Sequence, residues 1–517
     1  MSGIQTFLVV VFLFAACRDA VEKSEDADSI GIVRYQEPYR PQFHFSPQEK
    51  WMNDPNGLFY HEGVYHLFYQ YYPEDIVWGP MHWGHAISTD MVHWQHRPIA
   101  LYPDEHGLIF SGSAVVDKNN TSGFGVGDKI PLVAIFTYHS MEGEKAGRKD
   151  FQTQGIAYSL DNGNTWTKYG RNPVIENTGI KDFRDPKVFW HEATKTWIMV
   201  LVAGDRAKLY RSNDLREWQY LSDFGENQGA HGGVWECPDL FPIKVVGMDE
   251  EKWVLIISIN PGAPNGGSGT QYFVGDFDGK RFESNQKEPK WLDWGTDNYA
   301  GVTYNNAPDD ERIFIGWMSN WDYARNTPTK VWRSAMTVPR VLSLTKSNGD
   351  YVLKNFPIAA IDKLSRLQVE KDVDIPSKGS ETLSFDHFNQ AEIMFKTKDK
   401  DFRLMFKNGQ GEALILTMDS KKEAFFLNRM HSGRTDFQAE FGNKVHHMPI
   451  NDIGTDEVRV RILLDWSSIE VFFNEGRFVM TDQIFPLEPY RELIITNASN
   501  KTIQLNDFKI SHMQSVW

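Results

Sequence analysis

A short segment that starts with Ser-x-Asp and ends in an aromatic residue recurs along this chain and constrains the fold more than any other feature. The polar start and the aromatic end lie six or seven residues apart in each copy. The copies are Ser88–Trp94, Ser159–Trp166, Ser212–Trp218 and, in degraded form, Asp276–Phe282. This spacing predicts a hairpin with a tight polar turn between its strands.

A second element alternates with the first: an apolar strand, a short turn and an aromatic-rich strand. Its five copies begin at Leu58, Val115, Val188, Leu240 and Val302. Together the two elements make five units of about four strands and about 60 residues each. Repeated four-stranded units are typical of a β-propeller, so we predict an all-β, five-bladed propeller over residues 36–345. Chance repetition of hairpins within a sandwich is the alternative.

The pattern changes after Leu344. Short alternating strands such as Val458–Leu464 and Ser468–Phe473 follow, separated by turn signals. Such strands predict a C-terminal β-sandwich over residues 366–517. Residues 346–365 are then expected to form a linker.

The N-terminal segment is typical of an exported protein. The apolar run Phe7–Ala16 is too short to span a bilayer but suits the core of a signal peptide, which we place at residues 1–16. Ala15-Ala16-Cys17 resembles a bacterial lipobox, although Phe14 replaces the usual Leu and no basic residue precedes the run. We therefore expect lipidation of Cys17, a flexible tether at 18–35, and a periplasmic or cell-surface location.

Charge and composition argue against a nucleic-acid partner, a disulfide framework and a metal site. The formal net charge of −15 argues against nucleic acid, and it is compatible with a neutral sugar or simply with an acidic, soluble surface. The two cysteines, Cys17 and Cys237, cannot form a disulfide framework, and the histidines lack ligand spacing. We expect no metal and no cofactor, and the oligomeric state is left open.

Acidic residues stand just ahead of three of the five predicted inner strands. They are Asp54, Asp185 and Glu236. Each has a structural explanation on its own, because Asp-Pro is common in turns and an acid can simply be exposed. Inner strands line the axis of a propeller, however, so all three acids would meet in one funnel. Converging carboxyl groups suit glycoside hydrolysis, in which one attacks and another protonates the leaving oxygen.

The same motifs carry a family resemblance. Trp51–Gly57, Arg184–Pro186 and Trp235–Pro238 look like the three signature motifs of glycoside hydrolase family 32, which includes invertases, inulinases, levanases and fructan β-fructosidases. The similarity continues through Phe110–Ser113, Gly316–Trp321, Thr327–Ser334 and Leu464–Gly476, so it spans nearly all of residues 40–515. The chain is identified on this basis as a bacterial member of the family.

The resemblance implies a five-bladed propeller followed by a sandwich, and a retaining double displacement. Asp54 would be the nucleophile, Glu236 the general acid/base and Asp185 the transition-state stabiliser. The pocket for the terminal fructose would use the residues at matching positions, which are Asn53, Gln70, Trp78, Ser111, Arg184 and Trp317.

The leading hypothesis is an exo-acting enzyme that releases fructose from levan, inulin and sucrose, because the run Gly316–Thr329 resembles microbial levanases and inulinases. Three alternatives stay open: endo-cleavage within the same family, an inverting five-bladed arabinanase, and a non-catalytic fructan-binding surface protein. The preference between β-2,6 and β-2,1 linkages is also open.

Overall fold

A computed structural model describes residues 35–450, 453–454 and 457–517. The predicted signal peptide, Cys17 and all of the predicted tether except Tyr35 lie outside the described residues. Within them, no helix has the length and apolar character needed to cross a membrane.

Five consecutive sheets, each built on four strands that pair antiparallel, form the first part of the described chain. Blade one comprises β1 (Lys50–His61), β2 (Val64–Tyr72), β3 (His82–Ser88) and β4 (Gln95–Leu101), and blade two comprises β5 (Leu108–Val116), β6 (Leu132–His139), β7 (Gln152–Ser159) and β8 (Thr167–Lys168). Blade three comprises β9 (Phe183–His191), β10 (Thr196–Ala203), β11 (Ala207–Ser212) and β12 (Gln219–Phe224), and blade four comprises β13 (Val234–Lys244), β14 (Glu251–Asn260), β15 (Gly269–Phe277) and β16 (Phe282–Glu283). Blade five comprises β18 (Tyr299–Thr303), β19 (Arg312–Met318), β22 (Arg340–Ser347) and β23 (Asp350–Pro357).

The blades close into a ring. The first strands of neighbouring blades contact each other in the order β1, β5, β9, β13, β18 and back to β1, so these five strands surround the axis. Three short strands extend the blades: β17 (Lys290–Trp291) pairs with β15, β20 (Trp332–Arg333) with β1, and β21 (Ala335–Met336) with β19. The predicted five-bladed propeller is confirmed.

The recurring polar segment forms the turn between the third and fourth strands of a blade. In blade three, Ser212 Oγ donates to Asp214, and Asp214 accepts the backbone N–H groups of the two residues before Trp218. The Trp218 indole donates to the carbonyl of Leu215 at 3.0 Å. Because the side chains of the turn accept its backbone N–H groups, the hairpin needs no hydrogen bonds from a neighbouring segment to close. The same arrangement occurs at Ser88–Trp94 and Ser159–Trp166.

Two six-stranded sheets form the C-terminal domain. One contains β24 (Ser365–Ile375), β35 (Ile503–Met513), β26 (Ala391–Thr397), β31 (Val458–Asp465), β32 (Ser468–Phe473) and β33 (Phe478–Gln483). The other contains β25 (Ser380–Ser384), β34 (Glu492–Asn497), β27 (Asp401–Lys407), β28 (Ala413–Asp419), β29 (Ala424–His431) and β30 (His446–Pro449). Alternate residues such as Phe402, Leu404 and Phe406 are buried in one core shared by the sheets, which confirms the predicted sandwich.

The expected linker at 346–365 differs from the structure. β23 pairs along its whole length with β22, so the last blade extends to Pro357. The turn between these strands is Asn348-Gly349, and both residues have positive φ (52° and 83°), as a two-residue hairpin turn requires. The connection is therefore shorter than expected, and the sandwich begins at Ser365 rather than at 366.

Helical structure is sparse in the described ranges. It consists of α1 (Met141–Lys145), α2 (Ala359–Asp362) in the connection between the domains, and single 3-10 turns at Pro308–Asp310, Ala324–Asn326 and Phe388–Gln390. The two domains share apolar contacts, since one buried cluster contains Trp317 of blade five together with Phe472 and Val479 of the sandwich.

Candidate active site

Each inner strand of the propeller is irregular at the same end. The register shifts fall at residues 52–55 of β1, 109–112 of β5, 184–187 of β9, 236–239 of β13 and 299–302 of β18. Asp185, Cys237 and Ala300 have positive φ there (61°, 46° and 54°). Bulges redirect side chains that a regular strand would alternate between its two faces. They bring polar groups from all five blades to one end of the axis.

Asp54 is held by neutral donors. Ser111 Oγ donates to its Oδ2 at 2.7 Å, and Asn53 Nδ2 donates to its Oδ1 at 2.9 Å. Asn53 is oriented in turn by the Trp51 indole, which donates to the amide oxygen at 2.7 Å. Burial, together with the charge of Glu236, raises the pKa of Asp54 above its ordinary value.

Asp185 lies beside Asp54 and shares a neighbour with it. The Cys237 backbone N–H donates to Asp185 Oδ2 at 3.0 Å, and the Cys237 thiol lies 3.6 Å from Asp54 Oδ2 and 3.7 Å from Asp185 Oδ2. Burial raises the pKa of Asp185 to about 7, against the opposing effect of the Arg184 guanidinium.

Both carboxylate oxygens of Glu236 accept hydrogen bonds. Arg184 Nη2 donates to Oε1 at 3.0 Å, and the Tyr299 hydroxyl donates to Oε2. Burial raises the pKa of Tyr299 well above its ordinary value, so this hydroxyl is a donor at neutral pH. Arg184 also donates to Asp182 at 2.8 Å and its Nε lies 3.9 Å from Asp185. One guanidinium thus contacts three acids, which are Asp182, Asp185 and Glu236.

The three acids Asp54, Asp185 and Glu236 line a cavity of about 240 Å³ together with Arg184. Five of the six predicted sugar-pocket residues lie on its wall: Asn53, Gln70, Trp78, Ser111 and Arg184. The amide nitrogen of Gln70 is buried and has no hydrogen-bond partner among the described residues, so it remains available to a ligand.

Trp317, the sixth, does not line the cavity. It is fully buried behind the wall, with its ring 4.9 Å from that of Trp321 and 6.2 Å from that of Trp51. Trp321 lines the cavity instead. Trp317 lies on β19 opposite Tyr299, where the sheet directs its side chain into the core, whereas Trp321 follows the strand in a loop.

The aromatic side chains of the cavity wall do not include Trp235. Trp235 packs into the core between blades three and four, and its indole donates to the carbonyl of Ala230. The cavity is walled by Trp78, Phe110, Phe151 and Trp321, with the Arg325 guanidinium between the two Trp rings at 5.9 and 5.7 Å.

Sequence reasoning assigned no role to several residues of the site, which are Tyr299, Asp182, His139, Gln152, Asn260 and Arg325. A signal existed for Tyr299 alone, because it stands near the start of the fifth inner strand, as the acids stand near the starts of theirs. The others stand at the ends of strands or in connecting segments, and the sequence does not reveal which of these positions face the cavity. In the described part of the chain, no group of three or more His, Cys, Asp or Glu side chains is arranged to hold a metal ion.

Two sequence profiles match nearly all of the described chain. The profile "Glycosyl hydrolases family 32 N-terminal domain" matches residues 44–355, and "Glycosyl hydrolases family 32 C terminal" matches residues 360–512. Their limits agree with the propeller and the sandwich.

Similar proteins extend over almost the whole chain. A levanase from Bacillus subtilis is 45% identical over 502 residues, which are 95% of this chain and 73% of the relative. The extracellular exo-inulinase of Aspergillus awamori is 40% identical over 93% of this chain and 96% of its own. The crystal structure of the Aspergillus awamori exo-inulinase superimposes with a TM-score of 0.86 at 38% identity, over 93% of this chain and 100% of that one. The structure of a β-fructofuranosidase from Schwanniomyces occidentalis, complexed with fructosyl-erythritol, superimposes with a TM-score of 0.82 at 31% identity. The match covers 93% of this chain and 98% of that one.

The raised pKa of Asp54 predicts that a neutral residue at this position makes the fold more stable, by an amount that depends on pH. A group whose pKa is higher in the folded state stabilises the fold below its unfolded pKa, and this contribution disappears as the pH rises through the folded pKa. We expect Asp54→Asn to raise the melting temperature by about 1–3 °C at pH 7, and by less towards pH 4. Differential scanning calorimetry at both pH values measures this, with the exposed Asp249→Asn as the control. An equal shift at both pH values would contradict the explanation.

Proposed function

The chain belongs to glycoside hydrolase family 32, and on that premise we propose that it is a retaining, exo-acting β-fructosidase that removes terminal fructose from fructans and sucrose. As a member of this family it is a glycoside hydrolase. The names of its relatives, levanase, exo-inulinase and β-fructofuranosidase, support a β-fructosyl substrate. The observation that carries the proposal is the convergence of Asp54 and Glu236 on one small cavity.

Asp54 is the nucleophile in this proposal. Its carboxylate attacks the anomeric carbon of the terminal fructose and forms a covalent fructosyl-enzyme intermediate. The hydrogen bonds from Ser111 and Asn53 fix the carboxylate in one orientation, so little reorganisation is needed as the bond forms. Both donors are neutral, and they therefore keep the anion reactive where an adjacent cation would hold it in an ion pair.

Glu236 is the general acid/base. In the first step it donates its proton to the leaving oxygen, and in the second it takes a proton from the attacking water. Arg184 and Tyr299 hold its two oxygens in the resting site. These two contacts keep the carboxyl directed into the cavity.

Asp185 stabilises the transition state in this proposal. It is fixed by the Cys237 backbone N–H and is largely buried beside Asp54, where it can accept hydrogen bonds from sugar hydroxyls. Such bonds strengthen as positive charge develops on the sugar ring. Arg184 balances the negative charge of the acids around it.

The size of the cavity supports attack at chain ends. Pockets for drug-sized ligands measure about 300–1,000 Å³, so 240 Å³ fits one sugar ring and part of a second. Trp78 and Trp321, with Arg325 between them, stand at this wall and present apolar surface to the next sugar unit.

Removal of either proposed catalytic carboxyl tests the mechanism. We expect Asp54→Ala and Glu236→Ala each to lower kcat for fructose release by at least about 10³-fold, since each step then lacks its reacting group. Circular dichroism and melting temperature verify folding, and exposed Asp249→Ala and Glu288→Ala are the matched controls. Near-normal kcat in either active-site variant would remove the role given to that residue.

Product analysis tests the mode of attack. On levan and on inulin we expect fructose as the sole early product, detected by anion-exchange chromatography, and β-fructofuranose as the anomer first seen by NMR. Early fructo-oligosaccharides would indicate endo-cleavage. The opposite anomer would indicate inversion and exclude the covalent intermediate.

We also propose that the chain is exported and anchored through Cys17. The apolar run Phe7–Ala16 before that cysteine supports this, as does the extracellular location named for the Aspergillus relatives. In a bacterial host, radiolabelled fatty acid should enter the wild-type protein and not Cys17→Ala, and the variant should no longer sediment with membranes. Equal labelling of both proteins would contradict lipidation at this site.

A further inference from the structure

The segment that precedes the fifth inner strand is bound to the sandwich by its backbone. Trp294 donates its N–H to the carbonyl of Val479 at 2.8 Å, and Asp297 donates to that of Thr481 at 3.0 Å. The Thr481 N–H returns a bond to the Asp293 carboxylate at 2.9 Å. Residues 293–297 of the propeller therefore lie alongside the edge strand β33 of the sandwich and bond to its backbone.

Gly295 shows how close this approach is. A Cβ at this position would lie 1.9 Å from the carbonyl oxygen of Thr481 and 2.3 Å from its nitrogen. The obstacle is backbone rather than a flexible side chain, so the two segments fit together only because residue 295 is glycine.

Arg429 of β29, in the opposite sheet of the sandwich, stabilises this contact through hydrogen bonds to both domains. It is fully buried, and its guanidinium uses all five N–H donors. Three bonds go to the propeller, at Asp297 (2.7 Å), Thr296 (3.1 Å) and Tyr323 (2.9 Å). Two go to sandwich carbonyls, at Gln483 (3.0 Å) and Phe441 (2.9 Å).

Both propeller segments held by Arg429 continue into the active site. Two residues after Asp297, Tyr299 donates to Glu236. On either side of Tyr323, Trp321 and Arg325 line the cavity. A second bond ties the two segments together, because the Tyr323 hydroxyl also donates to Asp297 at 2.8 Å.

We propose that Arg429 is a positioning residue through which the sandwich sets the orientation of the catalytic acid/base: it fixes residues 296–297, which place Tyr299 against Glu236. The inference rests on the proposed function, since it gives Glu236 the acid role. The sandwich is then part of the catalytic apparatus although none of its described residues lines the cavity.

This role makes a prediction that general destabilisation does not. A displaced acid slows the departure of a leaving group that needs a proton, such as the glucose of sucrose. It has much less effect on β-D-fructofuranosyl fluoride, because fluoride departs with little protonation. The comparison uses kcat/KM, which covers only the steps up to fructosyl transfer onto the enzyme. A variant that is merely less folded loses kcat/KM for both substrates in equal proportion.

The test uses Arg429→Lys and Tyr323→Phe in the full chain. Lysine keeps the charge but cannot reach five acceptors with its three donors, and phenylalanine removes a single hydroxyl. We expect Arg429→Lys to lower kcat/KM for sucrose roughly 3- to 30-fold more than for the fluoride, with a smaller loss of the same kind in Tyr323→Phe. If Arg429→Lys does not fold, the result for Tyr323→Phe decides.

Arg461→Met is the matched control. Arg461 is also a buried arginine of the sandwich, paired with Glu392 and Asp362 at 2.7 Å each, and none of these residues contacts a wall of the cavity. It should lose stability without any change in the ratio of the two substrates. Equal losses for both substrates in the Arg429 and Tyr323 variants would overturn the inference. A wild-type protein inactive on sucrose and fructans would instead overturn the proposed function.

Discussion

The structure depends on burying three carboxyl groups around one guanidinium at the end of the propeller axis. Burial of Asp54 and Asp185 raises their pKa values and so costs folding free energy at neutral pH. Arg184 offsets part of this cost through its contacts with Glu236 and Asp185. The proposed mechanism requires the same closeness, since a nucleophile and a proton donor must face one sugar ring.

The propeller makes this closeness possible. Its five inner strands converge on the axis, and a bulge in each turns a polar side chain towards the funnel. Residues more than 50 positions apart, such as Asp185 and Glu236, thereby become neighbours of one arginine. The sandwich adds a second constraint, because Arg429 and the backbone of β33 hold the segment that leads to Tyr299.

Much of this could be predicted from sequence because it depends on local chemistry. The Ser-x-Asp turns bond to their own backbone, and the signature motifs place the acids near the starts of the inner strands. The sequence could not show that Trp321 rather than Trp317 lines the cavity, since this depends on where β19 ends and the loop after it begins. The Asn348-Gly349 turn is visible in the sequence as a hairpin signal, although the linker expected at 346–365 covers it. Arg429 has no signal in the sequence, because its five acceptors come from four separate parts of the chain.

The central claim is that Asp54 forms a covalent bond to fructose while Glu236 transfers the proton. Mass spectrometry of acid-quenched Glu236→Ala after reaction with β-D-fructofuranosyl fluoride tests it most directly. The variant can form the intermediate from an activated substrate and hydrolyses it slowly. The account predicts a mass increase of one fructosyl unit on the peptide that contains Asp54. No adduct under turnover conditions, or an adduct on another residue, would contradict it.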